Sequence, residues 1–330
     1  MSQWLQIDLS AKLFQNIEES VLRKSAAALE NCFINEAGGH SRFPGLKAFA
    51  TIPGNAPVYL HALRAPIGDL IGVSNSRVYR LDRAGTVNDV TGVQVSGGRR
   101  VVFDETDNEL VMAAGAEIIR LAKEQTEILS ADAPLSTHVG YIDGYLIAVE
   151  IHSGRFQHSA ANAFRTWDPL DTFSADGKPD ELNGLLISPY REVLLTGVDS
   201  IEQFERLPSS TTPFFRRWSV GEGVLAPYTL VSVDQGTFAM NSSYEFVRFT
   251  GQVSEPVGDD LGVTFEKVTD WTDAWAAAVQ IKGQKFILLQ IPEATNAYGT
   301  KGITCLYDYR QKKWYNLYSF EGGIPQKWPG

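Results

Sequence analysis

Cysteine is nearly absent: Cys32 and Cys305 are the only two in 330 residues, and they lie far apart in the chain. A disulfide framework is thereby excluded, leaving room for one bridge at most, and such sparse use suits assembly in a reducing cytoplasm. Long hydrophobic runs are missing too. Residues 286–291 form one of the longest, far short of the roughly twenty apolar residues that span a bilayer. The N-terminus, MSQWLQIDLS, lacks the basic region and apolar core of a signal peptide. Neither membrane insertion nor secretion is expected. Positive charge is in deficit, with 29 Lys and Arg against 39 Asp and Glu, a net charge of -10. A protein that grips nucleic acid needs a local cationic excess. The basic doublets Arg99-Arg100, Arg216-Arg217 and Lys312-Lys313 are scattered. They read as solvated surface or subunit contacts, and Trp314, beside the last pair, reads equally as an interface anchor.

Catalytic signatures are also lacking. The sequence contains no G-x-S-x-G elbow, Walker A loop or H-E-x-x-H pair, and no cysteine cluster with zinc spacing. His152 and His158, six apart across a Ser-Gly turn, read as a solvated hairpin pair, since two imidazoles without a third ligand make a poor metal site. Asp168, Asp171, Asp176 and Asp180 alternate with Pro, Gly and Ser and read as turn stabilisers. A glycosidase would need two acids about 5–9.5 Å apart in a sugar-sized cleft, which sequence spacing does not establish. No catalytic residue, cofactor or metal is expected. Helical segments of about ten to fifteen residues between strands are absent, which excludes a doubly wound α/β fold.

What the sequence does contain is β-forming. Aromatic residues make up 11%, with 7 Trp, 12 Tyr and 17 Phe, a composition suited to strands. The stretch from Trp167 to Gly251 reads as three strand pairs separated by Gly, Pro, Asp and Ser turns. The same layout recurs along the chain: LIGVSNSRVYRLD at 70–82, LVMAAGAEIIRLA at 110–122, LIAVEIHSGRFQHS at 146–159, VLLTGVDSIEQFERL at 193–207, TFAMNSSYEFVRF at 237–249 and, more divergent, ITCLYDYRQKKWYNL at 303–317. Taking Arg80, Arg120, His158, Arg206, Arg248 and Asp308 as phase markers gives intervals of 40, 38, 48, 42 and 60 residues. A strand repeat of about forty residues is the signature of propeller blades. The expected fold is therefore all-β: a β-propeller of six blades, with five or seven as the adjacent counts and two stacked sandwiches as the alternative architecture. Residues 56–330 form the propeller, with an insertion near 257–274. Residues 1–55 form an N-terminal arm, extended or part-helical, in which Leu13, Phe14, Ile17, Val21 and Leu22 have helical spacing. Blades packed around a ring bury both faces of their inner strands, which accounts for runs such as LIGV, LVMAA, YLIAV and KFILLQI.

Several strings carry a resemblance. In order they are Arg42-Phe43-Pro44-Gly45-Leu46; Thr166-Trp167-Asp168 followed by Phe173, Ala175 and Asp180; Gly197-Val198-Asp199-Ser200-Ile201-Glu202-Gln203-Phe204; Pro213-Phe214-Phe215-Arg216; Gly251-Gln252-Val253-Ser254; and Leu306-Tyr307-Asp308-Tyr309 with Trp314. Together they resemble the packaged-DNA stabilisation, or tail hub, proteins of short-tailed phages. The resemblance implies a virion tail protein, assembled in the host cytoplasm and without enzymatic activity. It further implies a homo-oligomeric ring, a hexamer, below the portal and its adaptor proteins. Such a ring prolongs the DNA channel, helps retain packaged DNA, and carries the tail needle, fibres or spikes, while DNA passes through without specific binding. Family members run past the equivalent of Gly330, so the resemblance leaves a further distal module open. The alternative is a propeller virion protein that binds or hydrolyses glycans.

Overall fold

The computed structural model describes residues 30–35, 39–45, 47–54, 56–64, 67–175, 177–207, 212–234, 236–257, 265, 268–321 and 324–328. The helix-spaced part of the expected arm, Asp176 and much of the expected insertion lie outside them. Two hairpins accompany six four-stranded antiparallel sheets, and in every four-stranded sheet the strands follow one another in chain order. These sheets are the six blades of a β-propeller, and the fold is all-β.

The chain divides into two compact units, residues 46–224 and residues 1–45 with 225–330. In the second lies the hairpin of β1 (Cys32–Ile34) and β2 (His40–Arg42). The first unit holds four blades. Blade one is β3 (Tyr59–Ala62), β4 (Leu70–Ser74), β5 (Arg77–Leu81) and β6 (Val87–Asp89); blade two is β7 (Val102–Glu105), β8 (Leu110–Ala113), β9 (Ile119–Leu121) and β10 (Thr126–Ile128). Blade three is β11 (Ser136–Ile142), β12 (Tyr145–Glu150), β13 (Arg155–Ala160) and β14 (Ala163–Ser174). Blade four is β15 (Leu182–Ile187), β16 (Glu192–Gly197), β17 (Ile201–Arg206) and β18 (Phe214–Val220). Blade five is β19 (Val224–Val233), β20 (Gly236–Asn241), β21 (Phe246–Thr250) and β22 (Val253–Pro256). Blade six is β23 (Trp275–Ile281), β24 (Gln284–Thr295), β25 (Lys301–Asp308) and β26 (Lys313–Asn316), followed by the hairpin of β27 (Tyr318–Glu321) and β28 (Ile324–Lys327).

Turn chemistry explains the hairpins. Asn75-Ser76, Asp143-Gly144 and Lys282-Gly283 each place two consecutive residues at positive φ, the geometry of the two-residue turn whose twist matches that of the flanking strands. Side-chain alternation explains the packing. In β8, Met112 faces blade one, beside Ile71 and Val78, while Val111 and Ala113 face blade three, beside Val139 and Leu146. In β12, Ala148 joins that second core, whereas Ile147 and Val149 join Phe156, Val193 and Phe204 toward blade four. A strand sandwiched between two blades needs apolar residues at every position, and the expected runs LIGV, LVMAA, YLIAV and KFILLQI are all second strands of their blades. In blade six, Ile287 and Leu289 pack toward Met240 and Phe246 of blade five, and Phe286 and Leu288 pack against Phe33 and Ile34 of the β1–β2 hairpin.

Two expectations are corrected here. The first five repeat strings are second–third strand hairpins, but ITCLYDYRQKKWYNL is β25 and β26, the third–fourth pair. The matching hairpin is β24–β25, disguised by the 12-residue length of β24. The stretch from Trp167 to Gly251 holds the rest of β14, all of blade four and three strands of blade five, more than three strand pairs. Outer strands such as β14 and β18 expose polar and Pro residues that read as turns.

Candidate functional site

The residues that carried the resemblance fall into separate places. One group meets at a corner of blade four. Ser200 Oγ donates to Asp180 Oδ1 at 2.8 Å, and the Asp199 N–H donates to Asp180 Oδ2 at 2.8 Å. The Gly197 N–H donates to the Ser200 carbonyl at 2.8 Å, closing the β16–β17 turn. Glu202, buried on β17, accepts from the Gly177 N–H at 2.7 Å and from Arg216 Nη1 at 3.2 Å. Beneath this corner Ile201 is buried, Phe204 packs edge-on to Phe156 at 5.0 Å, and Phe214 packs edge-on to Tyr145 at 5.6 Å. Pro213 is buried, and its carbonyl accepts from the Leu207 N–H at 2.8 Å. The carboxylates here serve backbone, serine and arginine donors, so the corner is a brace.

Other strings lie elsewhere. Trp167 is buried in the core between blades two and three and donates from Nε1 to the Phe164 carbonyl at 2.9 Å. Asp168 is exposed and accepts from the Leu170 N–H at 2.9 Å, a turn within the strand. Arg42, Pro44 and Gly45 are exposed at the end of the β1–β2 hairpin, while Phe43 packs edge-on to Trp328 at 5.1 Å. In blade six Tyr307 and Trp314 are buried with ring centroids 4.7 Å apart, and Trp314 Nε1 donates to the Val257 carbonyl at 2.7 Å. Trp314 is core, so within the described chain it is not an exposed anchor. Asp308 is fully buried and accepts from the Arg310 and Gln311 N–H groups at 3.0 Å each and from Gln284.

The histidine pair is also corrected. His152 sits in an exposed turn, but His158 is buried on β13 among Tyr145, Phe173 and Phe214, with Nδ1 donating to the Ser159 carbonyl at 2.8 Å. The alternation of β13 turns position 158 inward while the turn leaves position 152 outside. Among the described residues no group of three or more His, Cys, Asp and Glu could hold a metal ion. Both cysteines are free, and burial pushes the Cys305 thiol up to about 12. No helix of the described chain is long and apolar enough to cross a membrane.

Sequence reasoning missed an open cleft of about 1020 Å³ in the four-blade unit. Its walls are the β3–β4, β7–β8 and β9–β10 connections together with the β13–β14 turn and the start of β14. Two of the phase-marker arginines, Arg80 and Arg120, line it. Arg80 pairs with Asp69 at 2.7 Å, and Arg120 pairs with Glu109 at 2.9 Å and with Glu127. In both blades an arginine on the third strand clamps the acid just before the second strand, whereas Arg206 of blade four reaches Asp143 of the β11–β12 turn at 3.5 Å. The other lining carboxylates are also served by the chain. Glu105 accepts from the Arg64 N–H at 3.2 Å and lies 2.8 Å from His61 Nε2, while Asp107 accepts from the Tyr141 hydroxyl at 2.9 Å. Behind them burial raises the Asp104 carboxyl above its usual range, against hydrogen bonds from the Tyr141 and Glu105 N–H groups.

The described chain is thus a six-bladed β-propeller in which most of the residues that carried the resemblance brace turns or fill cores, while Arg42, Pro44 and Gly45 are exposed. Its sequence matches the family model described as bacteriophage P22 Gp10, a β-propeller, over residues 27–252, more than two thirds of the chain. The chain belongs to that family of tail-associated, DNA-stabilising phage proteins. No curated protein matches the sequence. Among solved structures, the extracellular domain of a one component system protein from B. thetaiotaomicron aligns with a TM-score of 0.53 at 9% identity, over 83% of this chain and 37% of that one. Virginiamycin B lyase from Staphylococcus aureus aligns at 0.48 with 11% identity, over 78% of this chain and 83% of that one. BamB from Moraxella catarrhalis aligns at 0.45 with 11% identity, over 82% and 75%. At 9% identity the first of these likenesses shows the fold alone.

Proposed function

We propose that the chain is a tail hub or nozzle subunit. In this reading six copies form a ring below the portal and its adaptor, prolong the DNA channel, retain packaged DNA, and carry the needle, fibres or spikes. The chain acts as masonry and performs no catalysis. The single observation that carries the reading is membership of the DNA-stabilising phage family over residues 27–252. Two features support it: the residues that carried the resemblance are spread over separate places instead of converging on a substrate, and each copy would bring a net charge of -10 to the ring. An acidic lumen lets DNA slide, because every cationic contact would add a salt-sensitive attraction to phosphate.

The test is to assemble particles without this chain and measure nuclease-protected DNA alongside electron microscopy of the tails. The expected result is heads that fill but fail to hold their DNA, and tails that lack a ring. Particles that keep both DNA and tail ring would overturn the reading.

A further inference from the structure

The open charges in the four-blade cleft are positive, although the chain as a whole is acidic. Each lining carboxylate is already satisfied. Glu109 accepts Arg120, Glu105 holds the Arg64 backbone and His61, and Asp107 holds a tyrosine hydroxyl. Three cations are not matched in the same way. Lys123 is exposed and has no ion pair among the described residues. Arg165 is 59% exposed and stands 3.7 Å from Glu109, which Arg120 already engages more closely. Arg64 is 62% exposed and reaches Asp104 only at 4.0 Å. Between these cations the lining includes apolar Leu63, Ile67 and Phe164, with Ile67 51% exposed.

One wall is a strand edge. Ala160 pairs with Ala163 and Ser159 pairs with Trp167, so residues 164–166 are looped out of register with β13. β14 is the edge strand of its sheet, and although the Phe164 carbonyl accepts from Trp167 Nε1, a strand edge is the kind of surface that recruits extended segments.

We propose that this cleft is a docking groove for an extended peptide of a partner protein in which carboxylate side chains alternate with apolar ones. An extended segment turns successive side chains to opposite sides. Its acids then meet Arg64, Lys123 and Arg165, while its apolar side chains lie on Leu63, Ile67 and Phe164. Charge complementarity selects this occupant over nucleic acid. A phosphate backbone is anionic at every step and would run along Glu105, Asp107 and Glu109, and it offers nothing to the apolar part of the lining. The inference concerns this chain's own cleft and does not require the proposed place in the tail.

The experiment measures fluorescence anisotropy of a short labelled peptide of alternating glutamate and leucine against the purified full chain. The matching lysine–leucine peptide and a single-stranded oligonucleotide serve as rival probes. The glutamate peptide is expected to bind, and raising salt from about 0.05 to 0.5 M is expected to weaken it. Lys123→Glu and Arg165→Glu are each expected to weaken binding by about tenfold. Lys123 is exposed and without an ion pair among the described residues, so its variant is expected to keep the wild-type melting curve. Failure of the glutamate peptide to bind, equal binding by wild type and Lys123→Glu, or tighter binding of the oligonucleotide would each overturn the proposal.

Discussion

A methyl group added at Gly197 would stand 2.1 Å from Asp180 Oδ2 and 3.0 Å from the Glu181 carbonyl. Neither neighbour is free to yield, because Asp180 also caps the Asp199 N–H and the Ser200 hydroxyl. Gly197→Ala is therefore expected to lower stability by about 1–3 kcal/mol, read as a shift in the urea midpoint with unchanged slope. His138 is buried on β11, and burial, helped by the nearby Arg99 charge, depresses its pKa from 6.5 to about 4. As pH falls below 6.5 the unfolded chain takes the proton first, so this contribution is complete above that value and is lost progressively down to about 4. The slope approaches about 1.4 kcal/mol per pH unit for one proton, and His138→Gln is expected to flatten that segment of a stability–pH curve. Neither residue announced its role in the sequence. The constraint on Gly197 comes from Asp180, seventeen positions earlier, and that on His138 from the burial its fold imposes, neither of which is a local signal.

The outer strand of blade three is bulged twice. Beyond the loop at 164–166, Gln157 pairs with Thr172 while Ser159 pairs with Trp167, so residues 168–171 bulge out as well. Gln157 Nε2 donates to the Asp168 carbonyl at 2.7 Å and Thr172 Oγ1 to the Pro169 carbonyl at 2.9 Å, which fixes the second bulge. Between the two, Trp167 is 5% exposed and pins the strand, whereas Leu170 projects at 88%. Trp167→Ala is expected to cost about 3–5 kcal/mol and Leu170→Ala less than about 0.5 kcal/mol, both by thermal or urea unfolding. Equal effects would show that Trp167 is no pin. The second–third strand hairpins were legible because small-residue turns such as Asn75-Ser76 and apolar runs are local signals. The bulges were not, because Asp-Pro-Leu-Asp within a strand has the composition of a turn between strands. Only the pairing with β13 distinguishes the two.

At the scale of the molecule, the deficit of positive charge was read directly from composition, and six blades followed from the forty-residue spacing of third strands. The cleft was invisible in the sequence, because its cations, Arg64, Lys123 and Arg165, are separated by about forty to sixty residues and meet only when blades stack. The acidic whole is expected to leave duplex DNA unretarded in a mobility-shift assay at about 0.15 M salt. Retention that weakens steeply with added salt would contradict the sliding-channel reading. Because each blade takes its four strands from one uninterrupted stretch, a nascent chain can complete a sheet before the next is translated, and none waits for a distant segment to supply its final edge. Such chains need little long-range loop closure to begin folding, which shortens the time that an unpaired strand edge stays open to pairing with another chain.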